Sequence, residues 1–541
     1  MLILTGATVW TGAGDLLDPG TVAIEAGRIV AVERGTGTRP AVAGDDLIDL
    51  SGATLLPGFQ DGHVHPIHGG LRRIGCDLTD AATDGAGYAA VVADYARSHP
   101  DAAWITGGGW IMPHFPGGLP RRETLDEVVA QRPVFLVNAD GHGAWVNSRA
   151  LEMAGVTART ADPSDGRVER DPDGTPTGVL HEGAMELVSE HMPEPGSGDL
   201  VAALANAQHY LHTLGITAWT DAWVTPADLG AYQALAAAGR LTARVTAGLW
   251  WDRHRGLEQI DDLLEQRATA RSDRLTASTV KIMQDGVVEN ATAAMIEPYL
   301  DLSGAPTGRT GLSHVAPDLL AEAVTRLDGL GFQVHVHAIG DRAIREALDA
   351  FAVARRQDGT GDRRHAIAHV QVVHPDDLPR FAPLAVVVTA QPLWAQLEPQ
   401  MTELTLPVLG PRRSEWQYPW ASLVRSGAML AFGSDWPVSS ADPLQGVAVA
   451  IDRIGADTPD PAEPFLPDER LTLDQALTAA TRGSAYLHHL DDRTGTVEVG
   501  MAADLAVVGA PLFGRDGCPP AEAQVVLTMV NGEIVHRTGA V

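Results

Sequence analysis

Lysine is all but missing from this sequence. Of the 39 lysine and arginine side chains in 541 residues, Lys281 is the only lysine. Positive charge is therefore carried as guanidinium, which stays protonated, whereas a buried lysine can lose its proton and become nucleophilic. Cysteine is nearly as scarce. Cys76 and Cys518 are too few and too far apart for a disulfide framework, which fits a reducing, cytoplasmic setting. A formal charge of -30 and a pI near 4.9 argue against general binding to nucleic acid or anionic membranes. No window approaches the roughly 18 consecutive apolar residues of a membrane span. The opening MLILTGATVWTGAGD has no basic segment ahead of an apolar core and reads as a strand, not a signal peptide. No P-loop, Gly-rich dinucleotide fingerprint or Ser-His-Asp order occurs, and GGGW at 107–110 is an isolated glycine run.

What is present is a chain that is 45% hydrophobic and long enough for a large core. Residues 1–58 and 486–541 read as short strands between turns, with Asn531-Gly532 a two-residue hairpin signal. Neither end is comfortable alone, so the expectation is one small β-sandwich built from both termini. Between them, 59–485 alternates apolar strands with helical stretches, the pattern of a parallel sheet in an α/β protein. Eight candidate strands are 55–63, 216–222, 243–250, 278–284, 332–338, 365–371, 385–391 and 428–434. Eight is the strand number of a (β/α)8 barrel. Ile344, Leu348 and Phe351 line one face of a helix that Asp341 can cap. The long gap between the first two strands predicts a large insertion at about 70–200, emerging at the C-terminal face where barrel active sites lie.

The chemistry-bearing residues sit at strand ends. His63 and His65 share a strand face, so both imidazoles can converge on one ion. His369 ends a later strand in the same way. His335 and His337 share a face of another; His337 is favoured as the ligand because it is nearer the strand's C-terminal end, and His335 reads as a buried supporting histidine. Asp435 follows a hydrophobic strand and Gly-Ser, where packing gives no reason for an acid. A neutral Lys281 amine can add carbon dioxide to become a carbamate, an anionic ligand with two oxygens that bridges two ions. Such ligands suit zinc or a similar divalent ion. Two ions about 3.5–4 Å apart would hold a hydroxide and polarise a carbonyl oxygen. An aspartate touching that hydroxide can take its proton and pass it to a leaving amine.

In this order, PGFQDGHVH, VKIMQDG, HVHAIGDRAI, HAIAHVQ and GSDWP resemble the amidohydrolase superfamily. More narrowly, they resemble its third amidohydrolase group, which includes YtcJ-like proteins and N-substituted formamide deformylases. The resemblance extends to DGHGAWVNSRAL in the insertion. It implies a TIM-like barrel and a binuclear centre, with two Zn per chain expected. His63 and His65 would bind one ion, and His337 and His369 the other. Carbamylated Lys281 would bridge them, and Asp435 would bind metal and act as general acid/base. After the lysine motif this chain reads DGVVENATAAM where many YtcJ-like members carry Gly-Ser-Leu-Gly-Ser.

Trp223, Trp250, Trp251, Trp394 and Trp436 lie just beyond strand ends, with Trp110 and Trp145 in the insertion. As a group they suggest an apolar, aromatic pocket. Trp110, His142, Trp394 and Trp436 are the candidate substrate contacts. The expected partner is a small, hydrophobic N-substituted amide, formamide-like, cleaved at its C–N bond; nucleic acid and membrane are not expected, and a homodimer is left open. A lactonase or ester hydrolase on the same centre, and a non-catalytic barrel scaffold, are the alternatives.

Overall fold

Strands buried on both faces need continuous apolar runs, and eight of these form the centre of the molecule. The computed structural model describes residues 1–35, 46–79, 81, 84–270, 272–358, 361–455, 463–515 and 517–539. The central strands are β1 (Phe59–Val64), β2 (Ile216–Val224), β3 (Arg244–Trp250), β4 (Leu275–Met283), β5 (Gln333–Ala338), β6 (Ala366–His369), β7 (Val387–Ala390) and β8 (Met429–Phe432). Each pairs in parallel with the next. Just past β8 the seam to β1 is stitched by backbone: Asp435 N–H donates to His63 O (2.7 Å) and His65 N–H to Trp436 O (2.8 Å). Gly433 lies in this seam, where a Cβ would stand 2.7 Å from both Cβ and N of His63.

All eight apolar runs are strands, with one correction. The run 55–63 is two strands: Thr54–Pro57 pairs in a different sheet, and β1 begins at Phe59. Gly58 marks the break because a Cβ there would collide with the Thr217 side chain. The other sheet takes strands from both ends of the chain, in the order Glu533–Arg537, Val525–Val530, Leu505–Val508, Thr54–Pro57, Leu2–Trp10, Leu16–Glu25 and Arg28–Arg34. Asp46–Asp49 lies parallel to the start of Leu2–Trp10. The hydrogen-bonded order is that of a single sheet, with its own core around Leu4, Val22, Leu55, Leu505 and Leu527. Asn531 and Gly532 both take positive φ between its last two strands, as a tight hairpin turn requires. A buried pair, Arg244 Nε to Asp504 Oδ2 at 2.6 Å, ties this sheet to the foot of β3.

Between β1 and β2 stand a helix (Pro66–Ile74), a six-stranded sheet spanning Cys76 to Glu182, and a helix (Ser197–Thr213). The six-stranded sheet has hydrophobic clusters on its two sides, one around Trp110 and Trp145 and one around Phe135 and Leu180. The helix Asp341–Asp358 buries Ile344, Leu348 and Phe351 against the barrel. Asp341 does not stand outside that helix as a cap. It is the first helical residue, and its carboxylate accepts the Ile296 N–H at 2.8 Å. Among the described residues, no helix is long and apolar enough to cross a membrane. Inside the barrel, Ala366, Val387 and Ala431 pack on Leu487 as an apolar floor. His63, His335, Lys281 and Asp435 lie above it, toward the C-terminal ends of the strands.

Candidate metal centre

His63 lies on β1 where its register against β2 slips by one residue, and it faces the barrel interior toward His335, with His65 two residues further on. Across the barrel, Lys281 on β4 brings Nζ to 3.4 Å from His63 Nε2. Asp435, just beyond β8, brings Oδ1 to 3.3 Å from His63 Nε2 and 3.0 Å from His65 Nε2. Its Oδ2 is 4.0 Å from Nδ1 of His369 at the end of β6. Ligand atoms of His63, His369 and Asp435 all lie within 4.8 Å of one another. His369 and Asp435 both hold positive φ, 75° and 57°, a left-handed state that aspartate and histidine adopt more readily than most side chains.

His335 and His337 are separated by this geometry. His335 Nε2 is 2.8 Å from His63 Nδ1, so it steadies the ring that faces Asp435. His337 lies at the rim, its ring centroid 4.3 Å from that of His369 and its Nε2 3.3 Å from Gly286 O. Asp285, 3.6 Å from His337 Nε2, is pinned by backbone N–H groups of Ala294, Ile339 and Gly340.

Burial and neighbouring positive groups hold His63, His335, His337 and His369 well below the usual histidine range, so all four are neutral. Neutral imidazole is the ligating form. Burial pushes the Lys281 amine down to about 7, against the pull of Asp435. Burial alone would raise Asp435, but the His65 hydrogen bond and the positive groups around it hold its carboxyl below the ordinary value. Both ring nitrogens of His369, Nδ1 of His65 and Nδ1 of His335 are buried without a hydrogen-bond partner among the described residues. Buried polar atoms are seldom left so. Neutral histidines, one carboxylate and an orphaned ring at the mouth of a barrel fit a divalent cation.

The amidohydrolase family pattern matches residues 46–536. The chain belongs to the amidohydrolase family. Protein LONG AFTER FAR-RED 3 of Arabidopsis thaliana is 31% identical, the match covering 99% of this chain and 91% of that protein. N-substituted formamide deformylase of Arthrobacter pascens is 27% identical over 96% and 95%. The crystal structure of an uncharacterized metal-dependent hydrolase from Pyrococcus furiosus superposes with a TM-score of 0.70 at 27% identity, covering 94% and 98%. This amidohydrolase is accordingly a metal-dependent hydrolase on a barrel of the family's kind.

The candidate substrate contacts divide. His142 reaches the centre from the insertion, its ring 5.5 Å from that of His337. Trp394 stacks on His369 at 5.3 Å with an interplanar angle of 1°. Trp110 does not face the site: it is wholly buried in the insertion core, edge-on to Phe115 and Trp145, with its indole N–H on Leu136 O. Trp436 is likewise packing, wedged between Gly69 and Tyr210. The exposed aromatic beside the site is instead Trp223, 37% exposed, stacked on Trp250 at 4.3 Å and edge-on to His68 and His65.

Glu182 has no motif to announce it. Its Oε1 lies 3.0 Å from His142 Nδ1 and accepts the Thr292 hydroxyl at 2.9 Å. Burial opposes charge on both groups, yet their attraction raises His142 to about 9 and lowers Glu182 to about 2. The pair is therefore ionic. Because the folded His142 value is raised, its contribution to stability is complete below the unfolded value of about 6.5 and disappears as pH rises through about 9. Because the folded Glu182 value is depressed, its contribution is complete above about 4.5 and disappears as pH falls through about 2. Glu182→Gln removes the carboxylate that keeps His142 charged, so the buried ring is neutral in the variant, and loss of the buried pair is expected to cost about 3 kcal/mol at neutral pH. Thermal melts from pH 6 to 9 check this: the wild type loses stability across that window, and the variant starts lower and runs flatter.

Proposed function

We propose that this amidohydrolase cleaves the C–N bond of a small, hydrophobic N-substituted amide, with formamides the leading class. The carrying observation is the convergence of His63, His369 and Asp435 with Lys281 Nζ at the C-terminal mouth of the barrel. His63 and His65 would hold one divalent ion and His337 and His369 a second, zinc being the borderline metal that this donor set suits. Lys281, whose buried amine can shed its proton, would form the carbamate that links the two ions. Bound ions would supply Lewis-acid polarisation of the acyl oxygen and an activated water. Asp435, held as a carboxylate against His65, takes the proton of the attacking water and returns it to the leaving nitrogen. The narrower substrate class is supported by the Arthrobacter pascens relative, at 27% identity.

The test joins elemental analysis to a matched panel of N-substituted formamides, esters and lactones. Up to two divalent ions per chain, activity lost on chelation and restored by zinc, and amine release from the formamides are expected. Activity that survives complete removal of metal overturns the centre. Alcohol release without amine release replaces the amide reading with an ester one, and a metallated protein that turns over nothing favours a scaffold.

A further inference from the structure

Alternation along β7 points to a residue that the roles above leave unused. Val387 faces the barrel axis in the floor with Ala366, Ala431 and Leu487. Two residues on, Thr389 Cγ2 lies 3.0 Å from where a Cβ on Gly62 of β1 would stand, so Thr389 faces inward as well. The next inward position is Gln391. Its height follows from the ladder: Thr389 pairs with Ala431 and Ala390 with Phe432, and Gly433 N–H then donates to Ala390 O at 2.9 Å. Gln391 thus stands level with Gly433, the residue pressed against His63.

Gln391 is 1% exposed, and neither Oε1 nor Nε2 has a hydrogen-bond partner among the described residues. Leaving both ends of a buried carboxamide unmatched is costly, and such groups are rarely idle. A carboxamide presents an acceptor and a donor side by side. That matches an amide, which carries an N–H and a C=O; an ester has no N–H to offer.

We propose that the Gln391 carboxamide hydrogen-bonds the scissile group, Oε1 accepting the amide N–H, and so selects secondary amides over esters. The inference rests on the amide-hydrolase reading and narrows its substrate class.

The test uses the metal-loaded enzyme, wild type and Gln391→Met, on three substrates that share one substituent: an N-alkylformamide, its N-methylated tertiary analogue and the alkyl formate. Thermal midpoint and metal content are measured alongside. The expected result is a fall of about 10–100-fold in kcat/KM for the secondary amide and no more than about 3-fold for the two substrates without an N–H, with metal content unchanged. Equal losses on all three substrates, or no loss on the secondary amide, overturn the role of Gln391 while leaving amide hydrolysis intact. A wild-type enzyme that cleaves none of the three overturns the amide reading itself. If Gln391→Met does not fold, Gln391→Asn withdraws the acceptor by one methylene and is held to the same ratio.

Discussion

Asp435→Asn lowers kcat by about 10²–10⁴-fold, the usual contribution of a positioned general acid/base, and leaves the fold in place. Three features of the site set that expectation. Asp435 is buried and receives the His65 ring at 3.0 Å, so its carboxylate is fixed in direction. Its φ of 57° is a left-handed conformation that asparagine also tolerates, so the substitution adds no backbone strain. Its backbone N–H holds the seam to His63 O whichever side chain is present. An amide oxygen can still face a cation, but a carboxamide cannot accept a proton from water and return it to an amine. A melt near that of the wild type, most of the metal and little turnover are the expected signature. A kcat close to wild type on a confirmed substrate would sink the assignment.

Lys281→Arg is expected to cost more than its conservative look suggests. The native amine is buried among His63, His335 and Asp435 and is pushed to about 7, so it can shed its proton. A guanidinium cannot. The variant buries a permanent cation among rings held neutral by burial, a desolvation cost that the Asp435 carboxylate offsets only in part. It also removes the amine that carbon dioxide would modify. Metal content and activity should fall together, with a lower melting temperature. Lys281→Ala is the instructive partner, since it opens a space that acetate can enter. Partial return of metal and activity with acetate is expected for Ala and not for Arg. Intact mass under gentle conditions with bicarbonate should show the carbamate on the wild type. A plain amine in a fully metallated, active enzyme would refute the bridge.

The strands that build the barrel were readable because parallel strands buried on both faces need apolar runs with little alternation, and those runs survive in sequence order. The inward pair His63 and His65 was readable for the same geometric reason, since residues two apart on a strand share a face. Lys281 stood out by composition. The aromatic residues were not readable in this way. Trp110 and Trp223 both fall at the end of a strand, but one fills the insertion core and the other flanks His65. Which side of an element a tryptophan reaches depends on what packs over it, and the covering residues lie far away in the chain.

The sequence by itself determined the eight parallel strands, the presence of a long segment after the first of them and the identity of the donor atoms, because periodicity and side-chain chemistry are local properties. Only the tertiary structure decided how those donors are divided. His335 spends its Nε2 on His63 across 272 residues, His142 finds Glu182 across 40, and Gln391 is left with a buried, unmatched carboxamide. These are matters of who meets whom in three dimensions. They are set by barrel closure and by the insertion folding over the strand ends, and no run of neighbouring residues records them.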